Sequence, residues 1–286
     1  MAQLNTFSDI SSIALAIQED AIFYERDTNF MPSLVRVFTD GRGGNTRTGY
    51  QYNAGTANAI AEVDDLTSAA FTPAALQTLT PGEIGLQYFL TDKRIDSDAP
   101  ENIRTDAATE LGAAARDKIE TDLIGKFTSF TGGTMGTAGS AITWGQVFAG
   151  ATVVRTNSKN RSMPLYCVLH EYQWHTLSKA NSVAGITLQQ VPSALVGPGG
   201  SWYVGTAAGI TFYATTNVAI SSNSAYGGIF QRDAIAYDIR RAIRIEPQRD
   251  ASRRGWELNM SALYAYGVWR PTYGVALLSA ATAPTG

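Results

Sequence analysis

Two strand-like apolar runs, Leu34–Phe38 and Ile84–Leu90, read as partners in a sheet, yet about 45 residues separate them. That intervening stretch opens with Gly41, Arg42, Gly43, Gly44, Asn45, Thr46, Arg47, Thr48 and Gly49 and has few large apolar groups before Leu66. It cannot build a core of its own. A two-stranded excursion is marginal in water, and a loop this long inside a compact domain is either functional or disordered. The alternatives are a disordered surface loop and an extended arm lying on a neighbouring molecule. Composition favours the arm. Only 16% of residues are charged, against roughly 25% in ordinary soluble domains. Ala, Gly, Ser, Thr and Asn fill the deficit, which suits surfaces covered by partners. The chain reads as a subunit of an assembly.

At 286 residues the chain makes two lobes or one large irregular domain. A net charge of −3 gives no long-range field that draws nucleic acid from solution, so a dedicated DNA-binding module is disfavoured. Cys167 is the one cysteine, which excludes an intrachain disulfide and a Cys-rich zinc site and fits a reducing compartment. No apolar run approaches the ~18 residues of a membrane span, and no basic-then-apolar signal opens the chain. Secretion and membrane insertion are both disfavoured.

Ile10, Ile13, Ile17, Ala21 and Tyr24 recur at helical spacing behind Ser8 or Ser11 as N-cap, predicting a short amphipathic helix. A long helix is predicted from Glu101 to Phe127, with Ile103, Ala107, Leu111, Ala114, Ile119, Leu123 and Phe127 on its apolar face. It would be ~40 Å long, with Gly112 and Gly125 each weakening it by roughly 1 kcal/mol relative to Ala. Thr143 and Gln146 form a capping box for a second helix that would bury Val147, Phe148, Ala151 and Val154. Strands are expected at Leu165–Leu169, Trp202–Val204 and Ile210–Ala214, with a helix at Glu171–Lys179. Further strands at Ala242–Glu246, Trp256–Met260, Leu263–Val268 and Tyr273–Leu278 predict a twisted antiparallel sheet.

Reactive chemistry finds little support. His170 and His175 flank a segment that looks like a zinc-protease helix, but five residues apart they diverge by about 140° and cannot share a metal. Cys167 lies in an apolar strand, where a thiol is ordinarily inert packing. The glycines at 41, 43, 44 and 49 do not open a helix behind a strand, so they form no phosphate cradle. No catalytic residue, cofactor or metal site is expected. Arg240, Arg241, Arg244, Arg249, Arg253 and Arg254 are the densest basic group, interleaved with Asp233, Asp238, Glu246, Asp250 and Glu257. That mixture favours salt bridges between subunits over nucleic-acid contact.

The order of elements, with the stretches Asp92-Lys93-Arg94-Ile95-Asp96, Leu165-Tyr166-Cys167-Val168-Leu169-His170 and Gly228-Ile229-Phe230, resembles the major capsid proteins of tailed bacteriophages, the Hong Kong 97-like fold. The resemblance covers nearly the whole chain and rests on architecture. It implies an α+β fold with an N-terminal arm (1–33), an extended E-loop hairpin (34–90) and a peripheral domain with a long spine helix (91–160). An axial domain (161–230) and returning strands of the peripheral sheet (231–286) would complete it. It further implies a non-enzymatic protein of the virion, assembled in the host cytoplasm as pentamers and hexamers of an icosahedral shell. A scaffolding protein, a portal, a decoration protein and non-specifically contacted packaged DNA are the partners such a shell engages.

Some members of that family cross-link their shells through an E-loop lysine, but no lysine precedes Lys93 here, so a non-covalent shell is expected. With no long charged helical segment ahead of the arm, a separate scaffolding protein is expected too. Candidate intersubunit residues are Arg42, Arg47, Arg249, Arg253 and Arg254, with Glu62, Asp64 and Asp65 as acidic partners; Gly112 is a candidate hinge in the spine. An encapsulin-like compartment shares the fold and is the nearest rival. A hydrolase-class enzyme would need a convergent nucleophile, base and orienter that the sequence does not offer.

Overall fold

The computed structural model describes residues 29–39, 46–52, 55–57, 59, 65, 68, 70–97, 103–183 and 203–284. The helix expected over Ile10–Tyr24, and the residues Arg42, Glu62 and Asp64, lie outside this set. In chain order the elements begin with α1 (Met31–Leu34), β1 (Arg36–Phe38), β2 (Arg47–Tyr52), β3 (Pro73–Leu79), β4 (Gly82–Thr91), α2 (Asp92–Ser97) and α3 (Ile103–Ile124). Next come β5 (Thr134–Met135), α4 (Trp144–Ser158), β6 (Leu165–His170), α5 (Glu171–Val183), β7 (Tyr203–Ala207), β8 (Ile210–Thr215), β9 (Ile220–Ser221) and β10 (Ser224–Gln231). The chain closes with β11 (Ile235–Asp250), β12 (Gly255–Val268) and β13 (Gly274–Ala280).

Two compact units result. The first holds Glu83–Lys118 and Ala242–Ala262; the second holds Thr28–Gly82, Ile119–Arg241 and Leu263–Gly286. In the first, the N-terminal part of α3 lays Ala107, Leu111 and Ala115 on Leu258 and Met260 of β12, flanked by Ile84, Tyr88, Leu90, Ile243 and Ile245. The period of two on the strands and of about four on the helix is what brings these side chains to one seam.

The second unit is organised around a seven-stranded mixed sheet, β5-β13-β10-β6-β8-β7, with β9 beside β10. β6 and β8 are parallel, and β10 runs antiparallel to both β6 and β13. Its core gathers Val147, Ala151 and Val154 of α4 with Leu165, Cys167, Leu169, Phe212, Ile229 and Leu277 of the strands. Gly228 is a glycine because the Phe127 ring occupies the space its Cβ would need, 2.8 Å away.

The expected long helix ends as α3 at Ile124, and Gly125–Ser129 continues it as a 3-10 turn. Glu120, on its buried side, accepts hydrogen bonds from the backbone N–H of Met31 (3.0 Å) and Phe30 (3.5 Å), capping α1. The capping box of α4 forms as read: Thr143 Oγ1 accepts from Gln146 N and Gln146 Oε1 accepts from Thr143 N.

Four readings change. The strand expected at Tyr273–Leu278 in one sheet with Ala242–Glu246 and Trp256–Met260 is β13 of the seven-stranded sheet, paired with β10. β1 pairs with β11, Arg36 opposite Ala236 and in parallel, and not with β4; in the four-stranded order β1-β11-β12-β4 these two are the outer strands. Strands expected separately at Trp256–Met260 and Leu263–Val268 are one, β12, because Ser261 and Ala262 continue the in-out alternation without a turn residue. Phe148 is 41% exposed, since its α4 neighbour Val147 takes the core position.

Candidate assembly surfaces

β2 and β3 pair antiparallel from Arg47 opposite Leu79 to Tyr52 opposite Pro73, with a bulge between Gly49 and Tyr50. The root of this hairpin is fixed inside the second unit. Arg47 Nε donates to Asp238 Oδ2 at 2.9 Å, and Arg240 donates to the same oxygen at 2.8 Å. Asp238 is fully buried, so each cation offsets part of its desolvation. The Arg47 guanidinium also lies 4.3 Å from the Phe38 ring centre, and Phe38 packs edge-on against Trp269. Gly49 lies flat on the same indole: a Cβ there would sit 2.8 Å from Trp269. Leu79, Ala236 and Ala265 seal the root.

Beyond the root the hairpin turns apolar groups outward. Tyr50 is 64% exposed, Tyr52 53% and Phe71 72%. Tyr52 and Phe71 stack, ring centres 4.5 Å apart and their planes nearly parallel. Burying such a ring is worth about 1.5–3 kcal/mol, so this face favours a covering surface. The sequence reading missed these residues; Tyr50 and Tyr52, two apart and hence on one face of a strand, were the available signal.

A second surface forms at the turn joining β11 to β12, within the first unit. Arg249 donates to Asp92 Oδ2 at 2.8 Å and to the Gly255 carbonyl at 2.7 Å. Arg253 contacts Glu257 at 3.4 Å and lies 4.2 Å over the Phe89 ring. Asp250 Oδ1 accepts from Ser252 Oγ and from the Arg253 N–H, which hold its carboxyl below the usual carboxylate range, the Ser252 bond contributing most. Arg254 is exposed beside a cleft of about 670 Å³ that it lines with Thr91, Asp92, Lys93, Asp96 and Arg253.

Of the residues expected at intersubunit contacts, the structure thus brings Arg249, Arg253 and Arg254 to one turn, and places Arg47 at the hairpin root with an intrachain partner. Asp65 is exposed. Gly112 sits mid-helix in α3, where the nearest atom to an added Cβ is Arg116 Nη1 at 3.7 Å.

Among the described residues, reactive groups do not converge. Cys167 is buried, and desolvation pushes its thiol well above its ordinary value, away from thiolate chemistry. His170 Nδ1 accepts the Tyr172 N–H at 3.0 Å, fixing the junction of β6 and α5. Among the described residues no cluster of His, Cys, Asp or Glu could hold a metal ion, and no helix is long and apolar enough to cross a membrane.

The overall fold is shared with known proteins. A family model described as phage capsid protein matches residues 75–277. The chain belongs to the phage capsid protein family. No curated protein sequence matches it significantly. The capsid structure of the cyanophage P-SCSP1u is 13% identical with a TM-score of 0.71, covering 98% of this chain and 94% of that one. The head structure of Helicobacter pylori bacteriophage KHP40 is 13% identical with a TM-score of 0.69 over 98% and 99% of the two chains. The capsid of Ralstonia phage GP4 is 11% identical with a TM-score of 0.68 over the full length of both. At such identities the likeness is one of fold, and it agrees with the α+β Hong Kong 97-like architecture expected for this capsid protein.

Proposed function

We propose that this capsid protein is the major shell subunit of a tailed double-stranded DNA phage. It assembles through pentamers and hexamers into an icosahedral shell held by non-covalent contacts and carries no enzymatic activity. The observation that carries this reading is a hairpin whose root is locked by Arg47, Asp238 and Trp269 while Tyr50, Tyr52 and Phe71 face outward. A rigid root with an exposed aromatic face costs stability in a lone molecule and repays it when a sister copy covers the rings. Many modest contacts of this kind, repeated by symmetry, sum to a closed shell.

In this reading residues 34–90 are the E-loop and residues 1–33 the N-terminal arm, and α3 is the spine of the peripheral domain. A scaffolding protein, a portal and packaged DNA are its partners, and assembly takes place in the host cytoplasm. Because the stretch before Lys93 offers no lysine amine, the shell has no E-loop isopeptide bond. Size-exclusion chromatography of the purified protein tests the proposal: rings or megadalton particles support it, and a small globular oligomer contradicts it. The nature of the cargo, genome or enzyme, separates a phage shell from an encapsulin-like compartment.

A further inference from the structure

We infer that the loop closing α4, residues 158–162 with Lys159 and Arg161 at its surface, faces the interior of the shell and holds the phosphodiester backbone of packaged DNA. The inference rests on the shell reading above and names the surface at which that shell meets its genome.

Charge is unevenly divided along the chain. From Leu123 to Arg232 the sequence has six of the 22 cations and one of the 25 carboxylates, a net +5; the other 16 cations share the remainder with 24 carboxylates, a net −8. The seven-stranded sheet with α4 and α5 therefore holds a single carboxylate, Glu171. Glu171 opens α5 at the far end of β6, and the length of that strand, about 20 Å, separates it from the loop. That is well beyond the screening length of about 8 Å at physiological ionic strength. Asp233, two positions past the end of β10, faces Arg36 at 3.5 Å.

The loop backbone is fixed while its cations are not. Lys159 has a φ of 53°, in the left-handed region, and its N–H donates to the Arg155 carbonyl at 3.0 Å. The Asn160 carbonyl accepts from Gln231 Nε2 at 3.1 Å, and Asn160 Oδ1 accepts from the Ser162 N–H and hydroxyl at 3.1 and 2.6 Å. Lys159 and Arg161 are exposed, and among the described residues neither side chain makes a hydrogen bond or ion pair. Cations at a helix C-terminus also offset its dipole. That accounts for Arg155, which donates to the Ala208 carbonyl at 3.0 Å, and for part of Lys159. It does not account for Arg161, which lies two residues past the cap and bonds no carbonyl.

A partner with a continuous run of anions fits this surface. Duplex DNA carries one negative charge per about 1.7 Å of its axis, so a carboxylate anywhere along the contact is penalised, and this loop has none. Two or three cations per copy give a weak, sequence-independent contact, in keeping with a chain whose net charge draws no nucleic acid from solution. Repetition over the inner face of the shell supplies the avidity.

Lys159→Cys tests the placement, because Cys167 is buried and does not compete. A small maleimide should label Lys159→Cys in particles assembled without DNA and label it more slowly in filled ones. A polymer-linked maleimide too large to enter a closed shell should label neither. Labelling of intact particles by the polymer reagent puts the loop outside and overturns the inference. So does failure of the small reagent in empty particles, which buries the loop between subunits, and so does an equal rate in filled and empty ones. Binding of a short DNA duplex to unassembled subunits covers the case in which the cysteine variant does not assemble. Replacing Lys159 and Arg161 together by Ala should make the slope of log affinity against log salt shallower by about 2. An unchanged slope overturns the inference, as does a variant that loses affinity for polyglutamate and keeps it for DNA, which would mark an acidic protein segment. Failure of the wild-type chain to form particles at all would instead sink the shell reading.

Discussion

Arg47 and Asp238 lie 191 positions apart in sequence and meet at 2.9 Å, tying the first strand of the outward hairpin to the buried start of β11. Asp238 has no exposure and is shared with Arg240. Removing the carboxylate leaves two guanidinium groups in a poorly solvated position, and removing Arg47 leaves one cation to hold the anion.

Asp238→Ala should therefore lower the stability of the isolated subunit by about 3 kcal/mol, and Arg47→Ala by roughly 1–3 kcal/mol. Urea unfolding measures both, with an unchanged denaturant slope expected. Hydrogen exchange should quicken at the β2 amides of Arg47→Ala before it does in the seven-stranded sheet.

Two glycine substitutions should have opposite signs. Gly49→Ala pushes a methyl into the Trp269 indole, so it should destabilise by about 1–3 kcal/mol and loosen the hairpin root. Gly112→Ala meets only an ordinary van der Waals contact with the Arg116 side chain and should add roughly 1 kcal/mol through helix propensity, raising the melting temperature. If Gly112 is also the point at which the spine bends during shell maturation, Gly112→Ala particles should expand more slowly; unchanged expansion kinetics would rule out that hinge.

Alkaline pH should weaken the fold through two tyrosines. Tyr264 donates to Asp122 at 2.7 Å; burial, then that hydrogen bond and the charge of Asp122, raise its pKa above the ordinary 10.0. Burial raises Tyr237 in the same direction. The folded state then holds these protons more tightly than the unfolded state. Their contribution is complete below about pH 10 and falls as pH rises above it. Melting temperatures from pH 8 to pH 11 should drop more steeply for the wild-type chain than for Tyr264→Phe, which itself should lose about 1 kcal/mol at neutral pH.

Oxidation aside, the shell should contain no covalent links between subunits. Particles boiled in denaturant and reductant should give a single band near the chain mass of 30.6 kDa. A ladder surviving reduction would show an isopeptide bond from a lysine at or beyond Lys93.

What could be read from the sequence was mostly local. The capping box at Thr143, the apolar period of α3 and the continuous apolar run Leu165–Leu169 need only neighbouring residues, and each formed close to its expected bounds. Pairing was harder. β1 is three residues long, and its partner Ala236–Asp238 lies about 200 positions away; nothing in either segment specifies a parallel match, whereas Ile84–Leu90 presented a nearer apolar run. The intrachain roles of Arg47 and Arg249 were equally hidden. Both read as contacts to a neighbouring subunit, but Arg47 meets Asp238 and Arg249 meets Asp92 within the chain. Among the described arginines of that group, Arg254 alone has a side chain with no hydrogen bond or ion pair within the chain.

Electron microscopy of the purified, assembled protein tests the account most directly. Closed particles are expected, with density from a second copy lying over the stacked Tyr52 and Phe71 rings. Small oligomers, or closed particles in which those rings face bulk solvent, would contradict it.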